Sequence, residues 1–169
     1  KSAGLDYVVV SLDHYDAQRH DRYRGRAGAF GIAAGAIQTA VRLGFYTAAQ
    51  LTANRDLLEP KAMRRYLGLV RDLGAHEARI VEPMPTGMLL GKGSGVLLTE
   101  KEHAYLRMLH ISQNRSGRPP KAVTFAYLED RSLYGCGAGI QHMYIDAYGN
   151  LCPCDFTPLS FGNIVRDGF

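Results

Sequence analysis

The stretch DYVVVSLD, residues 6–13, decides how the fold is read. From Tyr7 to Val10 it is aromatic and β-branched, with no polar residue interrupting. A strand with water on one face alternates apolar and polar residues, whereas a strand in a covered parallel sheet does not. The run therefore predicts a parallel strand buried on both faces, with Ser11 and Asp13 at its C-terminal end.

Working outward, AGAFGIAAGAIQTAVRLG (27–44) sets Phe30, Ile32, Ala36, Ile37, Ala40 and Val41 at near-helical spacing, and Gly44 suits a C-cap. FYTAAQLTAN (45–54) reads as a second strand ending at Asn54. EPKAMRRYLGLVRDLG (59–74) reads as a helix, with Pro60 tolerated in its first turn and Gly74 past its end. HEARIVEPMP (76–85) is a third strand, stopped by Pro83 and Pro85. Thr99-Glu100-Lys101-Glu102 is a capping box opening a helix that reaches about Ile111. NRSGRPPKA (114–122) reads as an exposed connector and VTFAYLE (123–129) as a strand. Residues 143–151 alternate, turn at Tyr148-Gly149-Asn150 and return, which predicts a β-hairpin.

Strand and helix alternate as far as Ile111, the pattern of a parallel α/β sheet or barrel. Two domains are expected: 1–112, part of a (βα) barrel, and 113–169, a small cysteine-bearing hairpin module. KSAGLD (1–6) looks like the last turn of a preceding helix, so the chain is expected to begin within a larger domain.

The 169 residues carry a formal charge of +4 and are 46% hydrophobic, enough to build a core. Arginines at 19, 22, 24 and 26, then 64 and 65, are scattered rather than striped with aromatics, which argues against nucleic acid. No stretch approaches the roughly 18 apolar residues of a membrane span, so a cytoplasmic protein is expected.

All three cysteines, Cys136, Cys152 and Cys154, lie in YGCGAGIQHMYIDAYGNLCPCDF (134–156). Three cannot pair off, and the hairpin brings Cys136 back toward the other two, so one metal centre is expected. Thiolates select an iron–sulfur cluster or zinc, for which His142 is a candidate fourth ligand, and buried, uninvolved thiols are the plain alternative.

In SLDHYDAQRHDRYRG (11–25), Ser11 and Asp13 sit where a barrel strand presents groups to a ligand, and Arg24 suits a carboxylate. Neighbouring His20 and Asp21 do not face each other on a helix, which favours capping or packing over an acid–base dyad. GMLLGKGSG (87–95) lacks phosphate-loop spacing. EPMPTG (82–87) suits either a ligand's ring or a rigid exit from the sheet.

These motifs together resemble the radical S-adenosylmethionine (radical SAM) enzymes. VVVSLDHYDAQRHDRYRGRAGAF resembles their fourth-strand region and EARIVEPMPTG their sixth. GCGAGIQHMYIDAYGNLCPCDFTPLSFGNI resembles the start of the SPASM or twitch auxiliary-cluster module, matching it at Cys136, Gly149, Cys154 and the Gly162-Asn163-Ile164 that closes it. The resemblance implies a partial (βα)6 TIM-like barrel from its fourth strand onward, and S-adenosylmethionine and a [4Fe–4S] cluster as cofactors. It implies that Ser11, Asp13, Arg24, Asn54 and the backbone around Pro83 border S-adenosylmethionine. It implies that Cys136 and Cys154 ligate the auxiliary cluster, with Cys152 as the extra thiol. A peptide, protein or cofactor-precursor substrate and a ferredoxin or flavodoxin electron donor would follow. The family's CxxxCxxC and GGE motifs are absent from these 169 residues, so the chain alone is not expected to cleave S-adenosylmethionine. The competing expectation is a non-enzymatic α/β module stapled by zinc or a cluster.

Overall fold

The structure is a computed structural model that describes residues 4–89, 91, 95–130, 132, 135–157 and 159–168. The helical turn expected at 1–3 and part of the glycine-rich loop at 87–95 lie outside those residues. The chain divides into two compact units, Lys1–Pro83 with Leu98–Tyr127, and Met84–Leu97 with Leu128–Phe169.

The first unit is a parallel sheet of β1 (Tyr7–Ser11), β2 (Tyr46–Thr52), β3 (Glu77–Val81) and β4 (Lys121–Thr124), ordered 1-2-3-4. Between β1 and β2 run α1 (Ala17–Arg24) and α2 (Ala29–Arg42); between β2 and β3, α3 (Arg55–Leu58) and α4 (Pro60–Asp72); and between β3 and β4, α5 (Glu100–Arg115). The boundary expected at 112/113 falls inside α5, and β4, beyond it, joins the sheet.

Local chemistry accounts for each helix. Asp16 accepts from Arg19 N to cap α1, and Pro60 opens α4, where its missing N–H is no loss. Thr99 and Glu102 form the expected capping box on α5, which runs four residues past Ile111 because Gln113 and Asn114 bind the carbonyls of Pro120 and Ala122. The strand expected over 123–129 is shorter: β4 ends at Thr124 and the chain turns into α6 (Phe125–Leu128).

One face of the sheet packs on the helices. Leu12, Leu51, Ala78 and Ile80 lie in one apolar cluster with Ile37 of α2 and Met63 of α4. Residues alternate across a strand, so Tyr7, Val9, Ser11, Tyr46, Gln50 and Arg79 point to the opposite face. That face is only half covered, with Val9 39% exposed. β1 lies at the sheet's edge, and the strand expected to be buried on both faces is only half-buried; the central strands β2 and β3 come closer to that expectation.

In the second unit β5 (Tyr144–Ile145) pairs antiparallel with β6 (Leu151–Cys152), the expected hairpin. Asp146 closes its turn, accepting from Tyr148 N and Asn150 N at 2.8 and 2.9 Å. The Asn150 side-chain amide, which donates to the other Asp146 oxygen at 2.9 Å, and these backbone bonds hold its carboxyl below the usual carboxylate range.

Candidate functional site

In the first unit, Ser11 is the last residue of β1, and Asp13, Asn54 and Pro83 follow the C-terminal ends of β1, β2 and β3, three adjacent parallel strands. Leu12 N donates to Gln50 O and Ala53 N to Val81 O, which keeps those ends level. The C-terminal edge of a parallel α/β sheet is where such folds hold ligands.

Asp13 is fixed from two sides. Its backbone N–H donates to His20 Nδ1 at 3.0 Å, and its carboxylate takes Arg24 Nε at 2.5 Å. His20 is buried, and burial pushes its imidazole below the ordinary histidine range, keeping it neutral and able to accept. Asp21 caps the turn into α2, accepting from Gly28 N at 2.6 Å and Phe30 N at 2.8 Å, which lowers its pKa. His20 and Asp21 therefore do separate packing and capping work.

Arg24 reaches Asp13 from α1 with its side chain still 41% exposed. Asn54 is committed to backbone: its Oδ1 accepts from Leu57 N at 3.3 Å, capping α3. Pro83 is buried next to Glu82, whose carboxylate lies 3.3 Å from His103 Nε2. The Ser11 hydroxyl has no protein partner among the described residues.

Two further groups stand behind this edge. His14 Nδ1 accepts from Asp16 N at 2.8 Å, so in the neutral ring Nε2 carries the proton, buried and without a partner among the described residues. The Tyr66 hydroxyl is likewise buried and unpartnered, and its pKa is raised first by burial and then by the charge of Asp13. Buried polar atoms are almost always paired, so these atoms and the Ser11 hydroxyl fit a polar ligand at this edge. Sequence reasoning missed both. His14 looks like one more polar residue after a strand, and Tyr66 lies on the apolar face of α4.

In the second unit Cys136 is exposed, while Cys152 and Cys154 are buried. Gly139 N donates to Pro153 O at 3.0 Å, which ties the Cys136 loop beside the residue separating the other two cysteines. Among the described residues no three histidine, cysteine or acidic side chains form a metal-holding group. Each buried sulfur has its own neighbour instead. Cys152 Sγ lies 3.8 Å from Asn150 O, and Cys154 Sγ lies 3.1 Å from Thr157 Oγ1. The donor chemistry suits a soft metal centre, and the bond between the two loops keeps the donors in adjoining segments.

Gly149 and the Gly162-Asn163-Ile164 segment hold that arrangement. Gly149 has φ +82°, and a Cβ added there would meet Val165 Cγ2 at 2.6 Å. Asn163 Nδ2 donates to Tyr148 O and to Asn150 Oδ1, while its Oδ1 accepts from Val165 N and Arg166 N. The glycine between the cysteines is needed for backbone conformation and for close approach together.

Comparison with known proteins matches these features. Residues 136–169 match the SPASM family model, an iron–sulfur cluster-binding domain. The chain is 24% identical to the AdoMet-dependent heme synthase of Methanosarcina barkeri, over all of this chain and 53% of that protein. It is 24% identical to the antilisterial bacteriocin subtilosin biosynthesis protein AlbA of Bacillus subtilis, over 96% of this chain and 36% of AlbA. Its fold matches crystal structures of Streptococcus suis SuiB. In the one bound to precursor peptide SuiA, the TM-score is 0.67 at 14% identity, over 96% of this chain and 40% of SuiB. In the one bound to S-adenosylmethionine it is 0.63 at 13% identity, over 95% and 40%. The chain thus spans about half the length of the heme synthase and less of the others. Among the described residues no helix is long and apolar enough to cross a membrane.

Proposed function

We propose that this chain is part of a radical SAM enzyme that carries a SPASM domain, and that it supplies the later strands of the cofactor barrel and an auxiliary-cluster module. One observation carries the reading. A parallel sheet with partner-free polar groups at its C-terminal edge is followed, in one chain, by the spaced Cys136, Gly149 and Cys154 of a matched cluster-binding domain.

When bound, S-adenosylmethionine and its reducing cluster supply radical chemistry that takes a hydrogen atom from substrate. The residues of this chain position and shield. Ser11 offers a hydroxyl and His14 a buried N–H at the strand edge. Asp13, held by His20 N-terminally to α1, keeps Arg24 oriented so that the outer guanidinium edge can meet a carboxylate. Asn54 and Pro83 shape the adjoining rim, Asn54 by capping α3 and Pro83 by its buried ring. Cys136 and Cys154 hold the auxiliary cluster, and Cys152, engaged with its own turn, is the spare thiol.

The similar proteins include an AdoMet-dependent heme synthase, a bacteriocin biosynthesis protein and SuiB bound to a precursor peptide. The substrate is accordingly a peptide, protein or cofactor precursor, and a ferredoxin or flavodoxin supplies electrons.

Anaerobic iron–sulfur reconstitution of this chain tests the proposal. A brown chromophore with iron and sulfide in cluster stoichiometry, lost in Cys136→Ala and Cys154→Ala but kept in Cys152→Ala, is expected. A colourless protein holding stoichiometric zinc would overturn it and leave the metal-stapled, non-enzymatic module.

A further inference from the structure

The half-open face of the first unit's sheet carries a polar row that the cofactor reading leaves largely unused. Strand register sets Ser11 beside Gln50 and Gln50 beside Arg79, across β1, β2 and β3. Neighbouring strands lie about 4.8 Å apart, so the Gln50 amide and the Arg79 guanidinium can reach one small group.

Arg79 is held in place from below. Its Nε donates to Glu77 Oε1 at 2.9 Å, and its guanidinium carbon lies 5.2 Å from the centre of the Tyr7 ring. Glu77 is fixed in turn by the hydroxyls of Tyr7 at 3.1 Å and Tyr46 at 3.3 Å. The Nη donors of Arg79 and the side-chain amide of Gln50 have no protein partner among the described residues, and both residues are half-buried. A half-buried arginine anchored by Nε and presenting its Nη edge has the fork that matches a carboxylate.

Charge narrows the choice of anion. Arg79 is already neutralised by Glu77, so the row offers directed donors with little net positive potential. A planar monoanion accepts that arrangement. A phosphate dianion would bring a second negative charge toward Glu77 with no further cation on the row.

We infer that Gln50 and Arg79 form a carboxylate-binding row on the sheet's open face and that its occupant is a carboxylate of the substrate. The identity of the occupant rests on the function proposed above; the binding chemistry does not.

The test is NMR of this chain, following the Arg79 Nε–H and Gln50 side-chain amide signals during titration with glutarate, glutaramide and inorganic phosphate. Saturable shifts with glutarate alone are expected. Arg79→Gln should weaken glutarate binding by at least about tenfold, the effect of losing one charged hydrogen bond. Gln50→Leu, which leaves the Glu77 cradle untouched, should weaken it by a smaller factor. Equal shifts with glutaramide or phosphate, or glutarate shifts unchanged in both variants, would overturn the row. Displacement of glutarate by S-adenosylmethionine would assign the carboxylate to the cofactor and overturn the substrate assignment. If cluster reconstitution fails while glutarate still binds, the proposed function falls and the row stands.

Discussion

Both units pin backbone N–H groups with carboxylate and amide oxygens, but the first also recruits histidine nitrogens. In the first unit four of the five histidines accept a backbone N–H at Nδ1. His14 takes Asp16 N, His20 takes Asp13 N, His76 takes Thr47 N and His110 takes Thr124 N, all within 2.8–3.3 Å. In the second unit carboxylate and amide oxygens do this work: Asp146 in the hairpin turn, and Asn163 and Asp167 in the closing segment. The first unit adds a deep apolar cluster, while the second leaves Ile140, Tyr148 and Val165 more than three-quarters exposed. The first unit's stability therefore rests on packing, and the second's on turn geometry and polar bonds.

The sharpest way to break this contrast is Leu106→Ala, which removes a fully buried side chain from the first unit's cluster. It should destabilise that unit by about 2–5 kcal/mol, read as faster hydrogen exchange in β2 and β3 with β5 and β6 unchanged. Gly149→Ala acts on the other side. It forces a side chain into a left-handed conformation and against Val165, and should destabilise the hairpin by roughly 2–3 kcal/mol. The same substitution should abolish cluster reconstitution while the first unit's exchange is unchanged.

Acid should separate the units without a mutation. Burial holds His14, His20 and His110 below the ordinary value of 6.5. Each is a depressed group, so its contribution is present above pH 6.5 and is lost as pH falls through the lower folded value. Asp146 is depressed from 3.8, so the hairpin's contribution persists until pH falls below that. Between about pH 6 and pH 4 the first unit should weaken while the hairpin holds, measured by amide exchange resolved by unit. Simultaneous loss in both units would erase the distinction. The smallest effect is expected from Thr99→Ala, which removes the cap of α5 and should cost about 1 kcal/mol, seen as fraying at Glu100–Glu102.

Some of this was legible in the residues because local physics decides it. The capping box at Thr99–Glu102, Pro60 at the start of α4 and the hairpin turn at Gly149 follow from backbone chemistry within a few residues. The short helix over Phe125–Leu128 was not legible: VTFAYLE is rich in strand formers along its whole length, yet its pairing with β3 ends at Ile80–Thr124 and the chain turns helical at Phe125. The edge position of β1 depends on which strand lies beside it, which no local pattern encodes.

The candidate sites divide in the same way. The cysteines and their spacing about Gly149 stand in the sequence, since ligand type and turn residue are local properties. So do the polar residues at the strand ends. The different neighbours of the Cys152 and Cys154 sulfurs, the pairing of Arg24 with Asp13, and the partnerless atoms of His14 and Tyr66 are tertiary facts. So is the alignment of Gln50 with Arg79, whose positions are 29 residues apart in sequence and adjacent only through the β2–β3 register. The sequence by itself determined which chemical groups this protein owns and which elements carry them. Only the tertiary structure decided which of those groups are spent on one another and which remain for a ligand, because strand register and burial act between residues far apart along the chain.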